Sequence, residues 1–246
     1  MNLILDIGNS LTKIAAFKNE QLVKHDILKT TDVESVKGFL SNVDEKVRHV
    51  LVASVQKEDN ELNLFFKNCF ATYIQLTSDT KLPIQVDYAT PKTLGVDRIA
   101  ASVGATVHFF QKNVLTIDMG TCITYDFISA DLSYKGGGIS PGVEMRFKAL
   151  HNFTAQLPFI EWKNEKPTEL IGDSTENSIL SGVINGVLSE LEGLVSRYES
   201  SFDELHVVLT GGSSNLFAKM LKNRIFADPN LVLVGLNRIL QYNLEK

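Results

Sequence analysis

The hydrophobic period changes several times along the chain, and each change marks an element. Leu3-Ile4-Leu5 is an apolar run that stops at Asp6. Thr12 to Phe17 is a second β-type run, and Gln21 to Leu28 follows the polar turn Lys18-Asn19-Glu20. Three such runs joined by tight turns predict an antiparallel meander. Residues 31–43 take a helical period, with Thr31 or Asp32 as cap. Val47 to Val55 is β-branched and predicts a buried strand. Residues 58–69 predict a helix, and a short strand near 72–76 follows. The apolar stretch Leu94–Phe110 predicts a further helix.

The second half repeats the rhythm. Val114 to Asp118 and Ile123 to Ser129 predict strands, with a third short one after Ala130-Asp131-Leu132. Residues 142–152 predict a helix. The strongest helical signal is 175–198, where Ile179, Val183, Ile184, Val187, Leu191 and Val195 fall on one stripe. A strand at Leu205 to Leu209, a Gly-Gly turn and a helix from about Asn215 complete the pattern. Two halves are expected, 1–112 and 113–246, with no Pro/Gly/Ser linker at the join.

One element occurs twice. Asp6-Ile7-Gly8-Asn9-Ser10-Leu11-Thr12-Lys13 and Asp118-Met119-Gly120-Thr121-Cys122-Ile123-Thr124-Tyr125 share a template, almost half the chain apart. In both, an apolar run ends in Asp, then x-Gly, a polar pair, an apolar residue and Thr. An aspartate at the end of a buried strand stands at the sheet rim, where ligands gather. The glycine lets the backbone approach a ligand closely. Successive N–H groups in such a turn can hold an anion, and Lys13 could place a point charge on a phosphate. One copy alone reads rather as an ordinary hairpin turn. Two copies in register favour a phosphate chain with its cation.

Composition narrows the classes. With 246 residues, 44% hydrophobic and 22% charged, the chain can bury a sizeable core, and a net charge of −5 weighs against binding nucleic acid or anionic membrane by bulk charge. Cys69 and Cys122 are far apart and read as buried small hydrophobes. The five histidines are scattered and suggest no metal cluster. No apolar run of about 20 residues is apparent, and Asp6 interrupts the N-terminal one, so a cytoplasmic protein without a membrane segment is expected.

Three further stretches carry candidate chemistry. Thr93-Leu-Gly-Val-Asp-Arg98 precedes an apolar helix. Asp97 there reads as a dipole-matched first-turn residue, or as a general base with Arg98 as an anion clamp. Lys135-Gly-Gly-Gly-Ile-Ser-Pro-Gly142 marks a backbone that must run close to something, just before a helix N-terminus. Val207-Val-Leu-Thr-Gly-Gly-Ser-Ser214 is a strand, a glycine turn and a helix. P-loop, dinucleotide and nucleophile-elbow motifs are absent.

Taken together, DIGNSLTK (6–13), LGVDR (94–98), DMGTCITYD (118–126), GGGISPGVEMR (136–146), LHNFTAQLP (150–158), DSTENSILSG (173–182) and TGGSS (210–214) resemble the type III pantothenate kinases. These belong to the acetate and sugar kinase/Hsp70/actin superfamily. The resemblance runs over nearly the whole chain, with little of it in residues 20–80. Ser10 stands where the family often has Thr, and Cys122 where it often has Ala.

The resemblance implies an α/β fold of two ribonuclease-H-like domains in tandem, each offering its turn to the ATP phosphates. It implies ATP binding by Asp6, Ile7, Gly8, Asn9, Ser10, Leu11, Thr12, Lys13 and Thr121. Pantothenate would contact Tyr88, Gly95, Val96, Asp97, Arg98 and Thr175, with Asp97 as proton acceptor. Asp118 would hold a monovalent cation, normally K⁺, and Asp6 would lie near the Mg²⁺ that accompanies ATP. A homodimer is also implied. Two other readings are another small-molecule kinase of the same fold and a nucleotide-binding regulatory protein without turnover. The presence of Asp6, Asp97 and Asp118 argues against the latter.

Overall fold

A computed structural model describes residues 1–8, 11–56, 59–162, 168–221 and 225–245. The first half opens with β1 (Asn2–Ile7), β2 (Thr12–Lys18) and β3 (Gln21–Leu28), followed by α1 (Val33–Leu40), β4 (His49–Ser54), α2 (Asn60–Cys69) and β5 (Thr72–Gln75). β1 pairs antiparallel with β2 and parallel with β4, giving the order β3-β2-β1-β4-β5. Asp32 and Asp59 cap α1 and α2, each accepting first-turn N–H groups, which satisfies donors the helix itself leaves open.

Strand alternation decides what each face of this sheet carries. Leu3, Leu5 and Ile7 join Ile14, Ala16, Val50 and Val52 in a core closed by Val36 and Phe39 of α1 and by Leu62 and Phe66 of α2. Asp6 and its cross-strand partner Lys13 therefore belong to the opposite face. That face is served by α3 (Val96–His108) and α7 (Leu231–Leu244). Asn2 Nδ2 donates to Asn237 Oδ1 at 2.8 Å, and Asn237 Nδ2 donates to the Asn19 carbonyl at 2.8 Å. α3 and α7 approach until Gly104 meets the Leu231 carbonyl and Gly235 meets the Ala100 carbonyl, with no room for a Cβ at either glycine.

The second sheet has the order β11-β10-β7-β8-β9-β6. Its strands are β6 (Gln85–Val86), β7 (Val114–Met119), β8 (Cys122–Ile128), β9 (Ser133–Pro141), β10 (His206–Thr210) and β11 (Phe226–Ala227). Leu115, Ile117, Met119, Ile123, Val207 and Leu209 share a core with α4 (Val143–Asn152), α5 (Thr175–Ser201) and α6 (Ser214–Met220). α5 is long and apolar enough to cross a membrane by length and composition alone, which the sequence reading did not anticipate. Its stripe from Ile179 to Val195 is buried in this core.

The chain forms two compact units. One comprises 1–111, 128–136 and 230–246, and the other 112–127 and 137–229. Sequence predicts a single join near 112, with everything beyond it in one domain. The C-terminal helix instead packs on α3 and β1, in the first unit. Three other expectations change. The short strand expected after residue 132 extends to Pro141 and takes in the glycines at 136–138. Residues 231–244, unassigned from sequence, form a helix. Cys69, expected in the core, is exposed at the end of α2, and Cys122 is half-buried. A segment that ends its helix at the rim cannot bury a side chain there.

Candidate active site

In the first unit, β1 delivers Asp6 to the sheet rim and β2 sets Lys13 directly across from it. Burial pushes the Asp6 carboxyl up to about 6, against the pull of Lys13, and the negative charge of Asp97 adds to the rise. A desolvated carboxylate beside a second one is short of positive charge. The pair therefore fits a hard divalent cation that keeps most of its water. Beyond Asp6 the chain turns: Gly8 N–H donates to the Leu11 carbonyl at 3.0 Å.

Asp97 lies in the first turn of α3, whose N-cap is Gly95. Its Oδ1 accepts from Arg98 N–H at 2.9 Å. A Cβ on residue 95 would stand 2.5 Å from that oxygen, so the glycine makes room for the carboxylate. Arg98 is buried. Tyr88 belongs to the same unit, its ring 5.9 Å from that of Tyr134 and packed against Gly136, which takes φ +98°. Lys135 Nζ and Asp87 Oδ2 pair at 3.0 Å beside it.

In the second unit, Asp118 ends β7 as Asp6 ends β1. Gly120 N–H donates to the Cys122 carbonyl at 3.1 Å. Two glycine-rich stretches converge on this turn. Gly211, with φ +90°, lies against Asp118 Oδ1 and the Met119 backbone, and Gly142 lies against the Thr121 and Gly120 carbonyls. Gly137 and Gly138 fit under the Tyr125 backbone and ring. What the glycines at 137, 138, 142 and 211 run close to is thus protein. Thr210 stands opposite Asp118 in the β7–β10 ladder. The Thr116 and Thr210 hydroxyls, on the same face, are buried with no hydrogen-bond partner among the described residues. Thr175 opens α5, with Ser174 as its cap.

Asp6, Lys13, Gly95, Val96, Asp97, Arg98 and Tyr88 thus all belong to the first unit, and Asp118, Thr121 and Thr175 to the second. Asn9 and Ser10 lie outside the described residues. Two named residues of the first turn point elsewhere. Ile7 is in the α1/α2 core, and Thr12 shares its face, with Oγ1 2.5 Å from Thr31 Oγ1. Leu11 is exposed. Only main-chain groups of Ile7 can serve a ligand on the Asp6 face. One contact had no sequence signal: Gln56 Nε2 donates to the Gly8 carbonyl at 2.7 Å. It continues the β1–β4 ladder past the last backbone bond, from Val55 N–H to the Ile7 carbonyl, and only the parallel register of β1 and β4 reveals it.

The type III pantothenate kinase family model matches residues 2–197. A type III pantothenate kinase of Christiangramia forsetii is 45% identical over 99% of both chains. That of Cytophaga hutchinsonii is 43% identical over 99% of this chain and all of its own. Among solved structures, a Baf family protein from Campylobacter jejuni, named as a transcriptional activator, superposes with a TM-score of 0.64 at 22% identity, over 99% of this chain and all of that one. A glucokinase from an Antarctic psychrotroph superposes at 0.53 and 12% identity, over 98% of each chain. These two likenesses show the fold, a pair of mixed-sheet α/β units of the actin-like ATPase and sugar kinase type. The family match over most of the chain and the near-full-length identities place this chain in the type III pantothenate kinase family.

Proposed function

We propose that the chain transfers the γ-phosphoryl group of ATP to the primary hydroxyl of pantothenate, with Asp97 as the group that orients that hydroxyl and takes its proton. The carrying observation is the assembly of Asp6, Lys13 and Asp97 in one unit, with Asp97 close enough to raise the Asp6 pKa. Phosphoryl transfer needs alignment and charge neutralisation more than covalent chemistry. Lys13 and the turn N–H groups neutralise phosphate charge. Mg²⁺, held near Asp6, supplies electrophilic stabilisation when ATP is bound.

An aspartate carboxylate is far too weak a base to ionise an alcohol in the ground state. With a loose transition state the proton leaves late, so Asp97 acts first by positioning. Gly95, Val96, Arg98, Tyr88 and Thr175 bind pantothenate, Arg98 as partner for its carboxylate. Asp6 to Lys13 and Thr121 serve ATP. Asp118 holds a monovalent cation, K⁺ by expectation. The orphaned, buried hydroxyl of Thr210 opposite it fits an oxygen-rich cation site. The active species is a homodimer in the cytoplasm.

The test is ADP release from purified protein with ATP, Mg²⁺ and K⁺, with and without pantothenate. Pantothenate-dependent release is the expected result. Nucleotide binding with no such release would instead favour a different acceptor alcohol, and after that a regulatory role. Sedimentation as a monomer at micromolar concentration would overturn the dimer.

A further inference from the structure

We infer that Arg146 is a positioning residue for the second nucleotide turn, acting through the corner between β9 and α4. The inference rests on the assignment of Thr121 to the ATP site. The corner is Ser140-Pro141-Gly142. Gly142 packs so tightly on the Gly120 and Thr121 carbonyls that a Cβ would overlap both. The turn cannot shift without the corner, nor the corner without the turn.

One side chain fixes the corner from behind. Arg146 Nε donates to the Pro141 carbonyl at 2.8 Å. Its Nη2 donates to Ser140 Oγ at 2.8 Å and to Glu190 Oε2 at 2.5 Å. Pro141 is the last residue of β9 and precedes the N-cap Gly142, so its carbonyl lies ahead of the α4 ladder and takes a side-chain donor instead. Glu190 sits in the middle of the 27-residue α5, whose neighbours Val187 and Leu191 are fully buried. The guanidinium therefore ties the corner to a long helix anchored in the core of this unit. Both partners are mostly buried, with side chains 22% and 27% exposed, so water does not easily replace the link.

The planar guanidinium donates from two separate nitrogens in a fixed geometry, whereas a lysine has only one nitrogen from which to reach all three acceptors. Helix-to-helix cohesion alone would require only the Glu190 bond. The two bonds to Ser140 and Pro141 are what a device for holding the corner needs. Loosening it moves the Thr121 backbone and hydroxyl relative to the nucleotide, while the pantothenate residues of the first unit keep their places.

The test compares wild type with Arg146→Met, Arg146→Lys, Glu190→Gln and Thr121→Ala. KM for ATP, KM for pantothenate, kcat and Tm are measured for each. Arg146→Met is expected to raise KM for ATP about tenfold, the worth of an ordinary buried hydrogen bond, with KM for pantothenate within about twofold. Arg146→Lys should recover only part of the loss, and Glu190→Gln, which keeps an acceptor, should cost less than either. Unchanged KM for ATP in Arg146→Met would overturn the inference. So would both KM values and Tm moving together, as in general loosening. If Arg146→Met fails to fold, the same split is read from Arg146→Lys. If Thr121→Ala leaves KM for ATP unchanged while wild type turns over normally, the Thr121 assignment fails. An Arg146→Met effect on ATP alone would still show that the corner serves the nucleotide.

Discussion

The two Asp-x-Gly turns match residue by residue as strings and differ by one residue as structures. β1 and β7 are six residues long, carry Asp in the fifth place and follow the same burial pattern. Gly8 closes on Leu11, three residues on, whereas Gly120 closes on Cys122, two residues on. One residue of difference reverses the pleat of the strand that follows. Leu11 is 56% exposed and the aligned Ile123 is fully buried. Thr12 faces the helical core side and bonds Thr31, so the position across from Asp6 falls to Lys13. In the second unit Tyr125, aligned with Lys13 by sequence, packs on the core, and the corresponding rim position is Thr124. The first turn thus sets a lysine across from its aspartate and the second sets hydroxyls there. The first suits phosphate directly, and the second suits a cation recruited from solvent.

The largest expected effect tests whether chemistry belongs to the first unit. Asp97→Asn should lower kcat about 10²–10⁴-fold with nucleotide affinity retained, measured by turnover and equilibrium ADP binding. Near-native kcat would end the assignment.

Next comes the burial of Asp6. Its carboxyl titrates at about 6 when folded, against 3.8 ordinarily. The folded state therefore holds this proton more tightly than the unfolded chain does. Its contribution to stability is full below about pH 4 and is lost as pH rises through 6. Without Mg²⁺, Asp6→Asn should be more stable than wild type by about 3 kcal/mol above pH 7, with no such gain below pH 4. A pH-independent difference in urea melts would show that desolvation of this carboxyl is not the cause.

The register difference itself is tested by Lys13→Met and Thr124→Val. The first should raise KM for ATP roughly 10–100-fold, as befits a charge-assisted bond, and the second should change it by no more than about threefold. Equal effects would erase the distinction between the turns. The smallest effect concerns the solvent cation. At fixed ionic strength K⁺ should support a several-fold higher rate than Na⁺, and Asp118→Asn should remove the preference. Equal rates in both salts would count against Asp118 as a cation ligand.

Much of this was legible in the sequence. The duplicated turn, the α5 stripe and the strand-to-helix punctuation follow from period and capping. That the Thr12 side chain turns to Thr31 was not legible, because residue type cannot reveal which side of a pleat a side chain takes. The run Leu231-Val-Leu-Val-Gly-Leu236 escaped notice as a helix because α7 is apolar almost all round, which blurs the 3.6-residue period. β9 runs longer than the short strand expected because three glycines signal a turn, whereas here they admit Tyr88 and Tyr125. Gln56 lies in no motif and Arg146 only closes the 136–146 segment, and their roles exist only once β4 and α5 are in place.

α7 has a consequence for biosynthesis. The helix that seals the Asp6 face of β1 is translated after every strand it covers, so Asn2 waits for Asn237. While the ribosome completes the chain, Ile4, Phe17 and Leu51 remain without that cover. The first unit, begun earliest, is finished only once residues 231–244 are made, and an early stop codon before residue 231 leaves a nascent apolar surface for chaperones and proteases to find.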